Sequence, residues 1–366
     1  MLRLKSCPCL DEALVRWKHF WKQELYKRPV VLATSPKEGV KPYSVEPIYD
    51  RRYYDAVNLL WEKRLNVINR YLSQTEYLGE NIPMFSPDLG PDQWAAFFGS
   101  GEFRFSENNL TTNWVDPVID DWSAAISLQI KPANKAFNDL INYAEFLAKS
   151  GEGQFLVSQI DAHSNADALS ALRGTERFLM DLIDSPELIH RAMKDMRASY
   201  APVHQKIMEA GNMGGQRGYG HYGFWSDKPF QVIQSDVICM LGHEHFREFI
   251  LPALLEEFSF FPNAFFHLDG PGALKHLDDI LAIPGYWILQ WQPGDGQKPN
   301  WQWTEILVKA QAAGKAVLVF GEGLNLDAVK KLHRVLDPVR TIYWPQPEVS
   351  SKAGVMEIID WLEKNS

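Results

Sequence analysis

The chain has 366 residues, with 37 Lys and Arg against 46 Asp and Glu, a formal net charge of -9. Hydrophobic residues make up 46% and charged residues 23%, the balance of a globular chain and not of a disordered one. The acidic balance excludes nucleic acid as a default partner, because backbone binding needs clustered Lys and Arg. It also counts against a substrate with many carboxylates unless a local basic pocket overrides the overall field.

No apolar run approaches the roughly 20 residues that a bilayer span needs. Charges at Arg3, Lys5, Asp11, Glu12, Arg16 and Lys18 leave no signal-peptide core before Phe20. Cys7, Cys9 and Cys239 are an odd, sparse set without a disulfide framework, so a reducing cytoplasm is the expected location.

In chain order, Leu14, Trp17, Trp21 and Leu25 recur at helical spacing, and residues 1–27 read as an N-terminal helical extension. Arg28 to Thr34 reads as a short buried strand, and Arg51 to Leu72 as one long helix with a mixed face. The Pro- and Gly-rich stretch from Ile82 to Pro91 is loop chemistry. Short apolar runs then alternate with helical stretches of roughly 10–20 residues. Gln154–Ile160 runs into Asp161 and His163, and a helix with Leu169, Leu172, Phe178 and Leu182 follows. Ala264–Leu268 ends at Asp269, Tyr286–Trp291 at Pro293, Ala316–Phe320 at Gly321, and Thr341–Trp344 at Pro345. Strands alternating with helices imply a parallel sheet, and residues 28–366 read as a single (β/α)8 barrel.

A barrel places its active site at the C-terminal ends of the strands. The residues just past the apolar runs are therefore the candidates: Asp161, His163, His267, Asp269, Gln290, Gln292, Glu322 and Trp344. His221, Tyr222 and Trp225, from the Gly-rich aromatic stretch 218–225, join them, as does Asp236. His221, Tyr222 and Trp225 can line the pocket with Trp291 and Trp344, stacking on a planar ring or caging a methylated ammonium; ordinary packing is the plainer alternative. His267 and Asp269 lie two apart on a strand and share a side. Asp161 and His163 repeat that spacing, an arrangement suited to acid–base chemistry with Asp fixing the His tautomer. Each pair also has a bland reading, as a hydrogen-bonded pair at a strand end or loop. Gly321-Glu322-Gly323 lacks the third Gly of a dinucleotide loop, so a Rossmann cofactor is not expected. In His243-Glu244-His245 the two His do not share a helical face and read as structural.

Several segments together resemble the uroporphyrinogen decarboxylase superfamily, which includes corrinoid-linked zinc methyltransferases. Pro87-Asp88-Leu89-Gly90-Pro91 with Ala95-Ala96-Phe97-Phe98-Gly99 is similar to the family's Asp-Leu-Gly-Pro loop and helix. Leu182–Leu188 resembles the helix-turn after the third strand, and Phe246–Pro252 a widespread family helix. His267-Leu268-Asp269-Gly270 lies where the methyltransferases have His-x-Cys-Gly. The likeness runs from about Arg28 onward.

The departures narrow what the resemblance implies. The decarboxylase grips substrate carboxylates with an early Arg-Gln motif, where this chain reads Leu32-Ala33-Thr34-Ser35-Pro36-Lys37. Near the expected strand ends the basic candidates are Lys37, Arg173, Arg217 and Lys298, too few for a porphyrinogen. The methyltransferases bind zinc through His, Cys and a second Cys. Here Asp269 replaces the first Cys, and Pro345-Gln346-Pro347-Glu348 supplies no second. His267, Asp269 and either Glu322 or Glu348 can still make an N/O site for one divalent metal, zinc first among them. The resemblance thus implies methyl transfer on a methylated, neutral or cationic substrate, with a corrinoid protein as partner. A decarboxylase or other lyase is the alternative, and a binding barrel without catalysis is the third reading.

Overall fold

The computed structural model describes residues 4–7, 9–125, 127–216, 218–345 and 351–366. Glu348 and Arg217 lie outside the described residues. The chain opens with helix α1 (Leu10–Trp21) and strand β1 (Val30–Pro36). Helices α2 (Arg52–Val57) and α3 (Trp61–Gln74) follow, then β2 (Thr75–Gly79) and β3 (Met84–Phe85). Helix α4 (Gln93–Phe98) precedes a small hairpin of β4 (Arg104–Ser106) and β5 (Asn109–Trp114). Next come α5 (Lys135–Ser150), β6 (Leu156–Val157), α6 (Asn165–Arg173), α7 (Thr175–Asp184) and α8 (Pro186–Ala210). A second hairpin, β7 (Tyr219–His221) and β8 (Phe224–Ser226), leads into β9 (Phe230–Gln234). The last strands are β10 (Asn263–Asp269), β11 (Ile288–Gln292), β12 (Ala316–Gly321) and β13 (Thr341–Pro345), with helices between them.

The architecture is mixed α/β around a seven-stranded, mainly parallel sheet in the order β2-β1-β13-β12-β11-β10-β9. Within this sheet, among the described residues, only the β1–β2 pairing is antiparallel. Strands such as Ala316–Phe320 are buried on both faces, as a parallel sheet covered by helices requires. The continuous ring of eight paired strands expected from the sequence is not formed by backbone pairing among the described residues. β3 and β6 pair in parallel with each other but with neither end of the large sheet. Side-chain amides take over at the two seams. Asn81 Nδ2 donates to the Ala33 carbonyl at 3.1 Å beside β1, and Gln231 Nε2 to the Ile160 carbonyl at 3.0 Å beside β6.

The single helix expected from Arg51 to Leu72 is broken at Asn58–Leu60. Leu59 adopts φ +57, the Leu60 N–H reaches back to the Asp55 carbonyl at 2.8 Å, and Asn58 Nδ2 donates to the Tyr54 carbonyl. The break turns the chain so that residues of both α2 and α3 line one chamber. The helix expected across Leu169–Leu182 is likewise two, divided at Gly174, whose φ of +86 stops α6.

Helix α1 is fastened to the sheet. Trp17 and Phe20 join Phe224, Phe230 and Phe265 in one apolar cluster, and Trp17 Nε1 donates to the Glu80 carbonyl at 2.9 Å. The buried Glu80 carboxylate accepts from Arg16, from both terminal nitrogens of Arg28 (2.8 and 2.9 Å), and from the Val31 N–H (2.8 Å). Among the described residues no helix is long and apolar enough to cross a membrane.

Candidate functional site

The C-terminal ends of the parallel strands converge on a cavity of about 490 Å³. Period-2 alternation decides which side chains reach it. Phe265 and His267 of β10 face in, with Gln290 and Gln292 of β11, Phe320 of β12 and Trp344 of β13. The parallel register sets His267 opposite Gln290 and Asp269 opposite Gln292. Asp161 and His163, on the loop after β6, complete one wall, and Tyr222 projects from the turn between β7 and β8. That turn has two residues, Tyr222 and Gly223, at φ +49 and +87, the positive values of a type I′ hairpin turn. A Cβ on Gly223 would sit 2.0 Å from Asn81 Oδ1, so a glycine is required there.

His163 stands between two carboxylates, its Nε2 3.9 Å from Asp161 Oδ1 and its Nδ1 3.5 Å from Asp236 Oδ2. Burial works against its charged form, but Asp161, Asp236, Asp167 and Asp92 outweigh it and raise its pKa. Burial likewise opposes an ionised Asp161, and here His163, His221, His267 and Arg52 prevail and hold it below the usual carboxylate range. Asp161 Oδ1 also accepts from Gln234 Nε2 at 2.5 Å. The surroundings thus favour the carboxylate form of Asp161 and the imidazolium form of His163. Asp167 behaves differently. Burial and the nearby Asp236 push it up to about 6, and it caps the loop after β9 by accepting the N–H groups of Asp236 and Val237.

Asp236, His267 and Asp269 place a ligand atom each within 4.8 Å of one another. His267 Nδ1 lies 2.7 Å from Gln290 Oε1, which accepts its proton and leaves the Nε2 lone pair free. A metal-binding His is oriented by this kind of partner. Two carboxylates and one imidazole form a hard donor set that fits zinc or another first-row divalent ion. Burial, with help from Asp236, raises the Asp269 pKa although His267 opposes it. That is the condition of a carboxylate crowded by another in a site that a cation would relieve.

The fold these residues stand on has solved counterparts. The chain is similar to a methyltransferase from Methanosarcina mazei, with a TM-score of 0.58 and 12% identity over 96% of this chain and 98% of that one. At that identity the likeness shows the fold. No family model matches the sequence, and no curated protein matches it.

Four residues expected at the site are elsewhere. Glu322 is exposed past β12, outside the Asp236–His267–Asp269 group, and Asp236 takes the place expected of it. Trp291 lies between Gln290 and Gln292 and therefore faces the other way, fully buried and edge-on to Trp303 at 5.4 Å. Trp225 is buried in the cluster beneath α1, its carbonyl accepting from Trp21 Nε1 at 2.8 Å. His221 is also buried, but it borders a second, inner chamber, with Nδ1 donating to the Gln159 carbonyl at 2.8 Å.

Sequence reading passed over Arg52. It lines both the cavity and the inner chamber, packed on the rings of Tyr53 (4.4 Å) and Tyr49 (5.2 Å). Nothing next to a strand points to it, because it belongs to the first turn of α2. The tyrosine-rich run Tyr49-Asp50-Arg51-Arg52-Tyr53-Tyr54 was the available signal, since stacked arginines favour such surroundings. The pairs His243–His276 and His245–Phe249 are ring contacts, in keeping with a structural role for the His243-Glu244-His245 run.

Proposed function

We propose that the chain is a small-molecule enzyme of the uroporphyrinogen decarboxylase-like (β/α)8 superfamily, in its corrinoid-linked methyl-transfer branch. The observation that carries this reading is the Asp236–His267–Asp269 group, set at strand ends beside the Asp161–His163 pair, with His267, Asp161 and His163 lining one cavity. We read the seven-stranded sheet and the β3–β6 pair as one barrel whose two seams are bridged by side chains.

His267 Nε2, Asp269 and Asp236 would hold a divalent metal, zinc by the resemblance, which when bound supplies a Lewis acid at the reacting group. Gln290 keeps the His267 proton on Nδ1. His163, biased toward its protonated form by the surrounding carboxylates, delivers a proton to the atom that loses or releases the methyl group. Tyr222, Trp344, Phe265 and Phe320 present aromatic faces to a methylated group, and the Asp161 charge favours a neutral or cationic one. A corrinoid protein would dock over the mouth as methyl donor or acceptor.

Metal content of the purified chain, measured by plasma mass spectrometry, tests the reading. The expected result is about one divalent metal per chain, lost in His267→Ala. A metal-free wild-type chain with its fold intact overturns it. Gain of the cobalt–carbon absorbance of methylcobalamin from cob(I)alamin and a methylated donor, dependent on His267, is the matching activity.

Arg52 supports a second reading. A guanidinium in the cavity wall can hold a substrate carboxylate, which the decarboxylase alternative needs. Carbon dioxide release without metal would select it.

A further inference from the structure

We propose that the inner chamber is a carboxylate-binding subsite built on Arg64 and Arg52. The chamber, about 100 Å³, lies where β1 and β3 fail to pair, enclosed by α3 and the tyrosines around it. It is contiguous with the strand-end cavity, since Tyr49, Arg52, Tyr222 and Trp344 line both.

The Arg64 side chain is 5% exposed and its Nη1 is buried with no hydrogen-bond partner. Two further buried atoms in the same wall are orphaned, Ser86 Oγ and His221 Nε2. A buried guanidinium without a counter-charge is among the costliest features a fold can carry, so it calls for an anion that completes it. The protein's own acids act on these arginines only through space, Asp55 on Arg64 and Asp88 on Arg52, and none makes a direct ion pair with them. Asp55, close to Arg64, is matched by Lys63 at 3.1 Å and lies 3.7 Å from Arg51. Asp88, in the chamber wall, already accepts at Oδ1 from Gln93 Nε2 (3.1 Å) and from the Asp161 N–H (2.8 Å). Among the described residues neither Arg52 nor Arg64 has a carboxylate within salt-bridge distance.

Chamber size limits the anion to a small one. The space has room for several waters, and so for a carboxylate on a short stem. Planar guanidinium donors match carboxylate oxygens. Resting on the methyl-transfer reading, the substrate is then a small molecule with a methylated end at Asp161 and a carboxylate end at Arg64.

The test uses the full chain and sodium acetate as probe, with sodium chloride and inorganic phosphate at matched ionic strength, read by thermal melting and calorimetry. Acetate is expected to raise the melting temperature saturably. Arg64→Met should weaken acetate binding about tenfold or more, the scale of a hydrogen bond to a charged group. Ser86→Val, which narrows the chamber and leaves both charges, should weaken it too and serves if Arg64→Met does not fold. No saturable acetate effect beyond chloride, or an equal effect in both variants, overturns the proposal, as does binding of phosphate alone. His267→Ala should bind acetate like wild type, so failure of the metal reading leaves this one standing.

Discussion

Glu257 shows how far burial can move a single group. Its carboxyl is buried beneath α6, accepting from Ser164 Oγ at 2.7 Å and from Asn165, and burial pushes it up to about 8 from 4.5. Between those values the folded chain holds a proton that the unfolded chain releases. Its contribution to stability is therefore full below the lower value and lost as pH rises through the upper one, with a slope of up to ~1.4 kcal/mol per pH unit. Urea unfolding at several pH values across this window should show that decline, and Glu257→Gln should flatten it. Single residues were also where sequence reading did best and worst. Asp161, His163, His267, Gln290, Gln292 and Trp344 follow apolar runs and line the cavity; strand alternation turns the last four inward, while Asp161 and His163 reach it from the loop after β6. Trp291 was misassigned although the same alternation, applied to the residue between two inward glutamines, turns it outward. Arg52 was beyond reach because its place depends on a helix break that no local pattern announced.

At the scale of elements, that break between α2 and α3 has its own cost. Leu59 holds a left-handed conformation while half exposed, with φ +57 and 50% of its surface open. The conformation costs an L-residue roughly 1–2 kcal/mol, and glycine adopts it freely at an entropic cost of roughly 0.5–1 kcal/mol. Leu59→Gly should therefore stabilise the chain by up to about 1 kcal/mol in denaturant titrations, with its acetate response unchanged. The periodicity of 51–72 gave one helix because both pieces keep a helical apolar rhythm across the break, and the turn is set by tertiary contacts. The same limit applies to β3 and β6. Their apolar runs were visible, but each is two residues of regular pairing, and pairing partners are a property of the assembled sheet.

For the molecule as a whole, the N-terminal segment is coupled to the sheet through Glu80. Removing that carboxylate leaves Arg16 and Arg28 buried, with only Glu363 and Glu12 at longer range. Glu80→Ala should cost about 3–5 kcal/mol, read as an earlier unfolding transition. Sequence reading recognised the α/β class and the mainly parallel sheet from the alternation of runs, though not that backbone pairing leaves the sheet open. It had no means of seeing that two arginines from opposite sides of residue 27 share one acid, because long-range pairing of buried charges leaves no periodic trace.

The inner chamber has a wider consequence. Arg64, Ile68 and Tyr71, four and three residues apart, present one face of α3 to it, while the reacting groups stand on strand ends and their loops. On the proposed carboxylate subsite, substitutions along that helical face would exchange one ligand for another while the strand-end groups stay as they are.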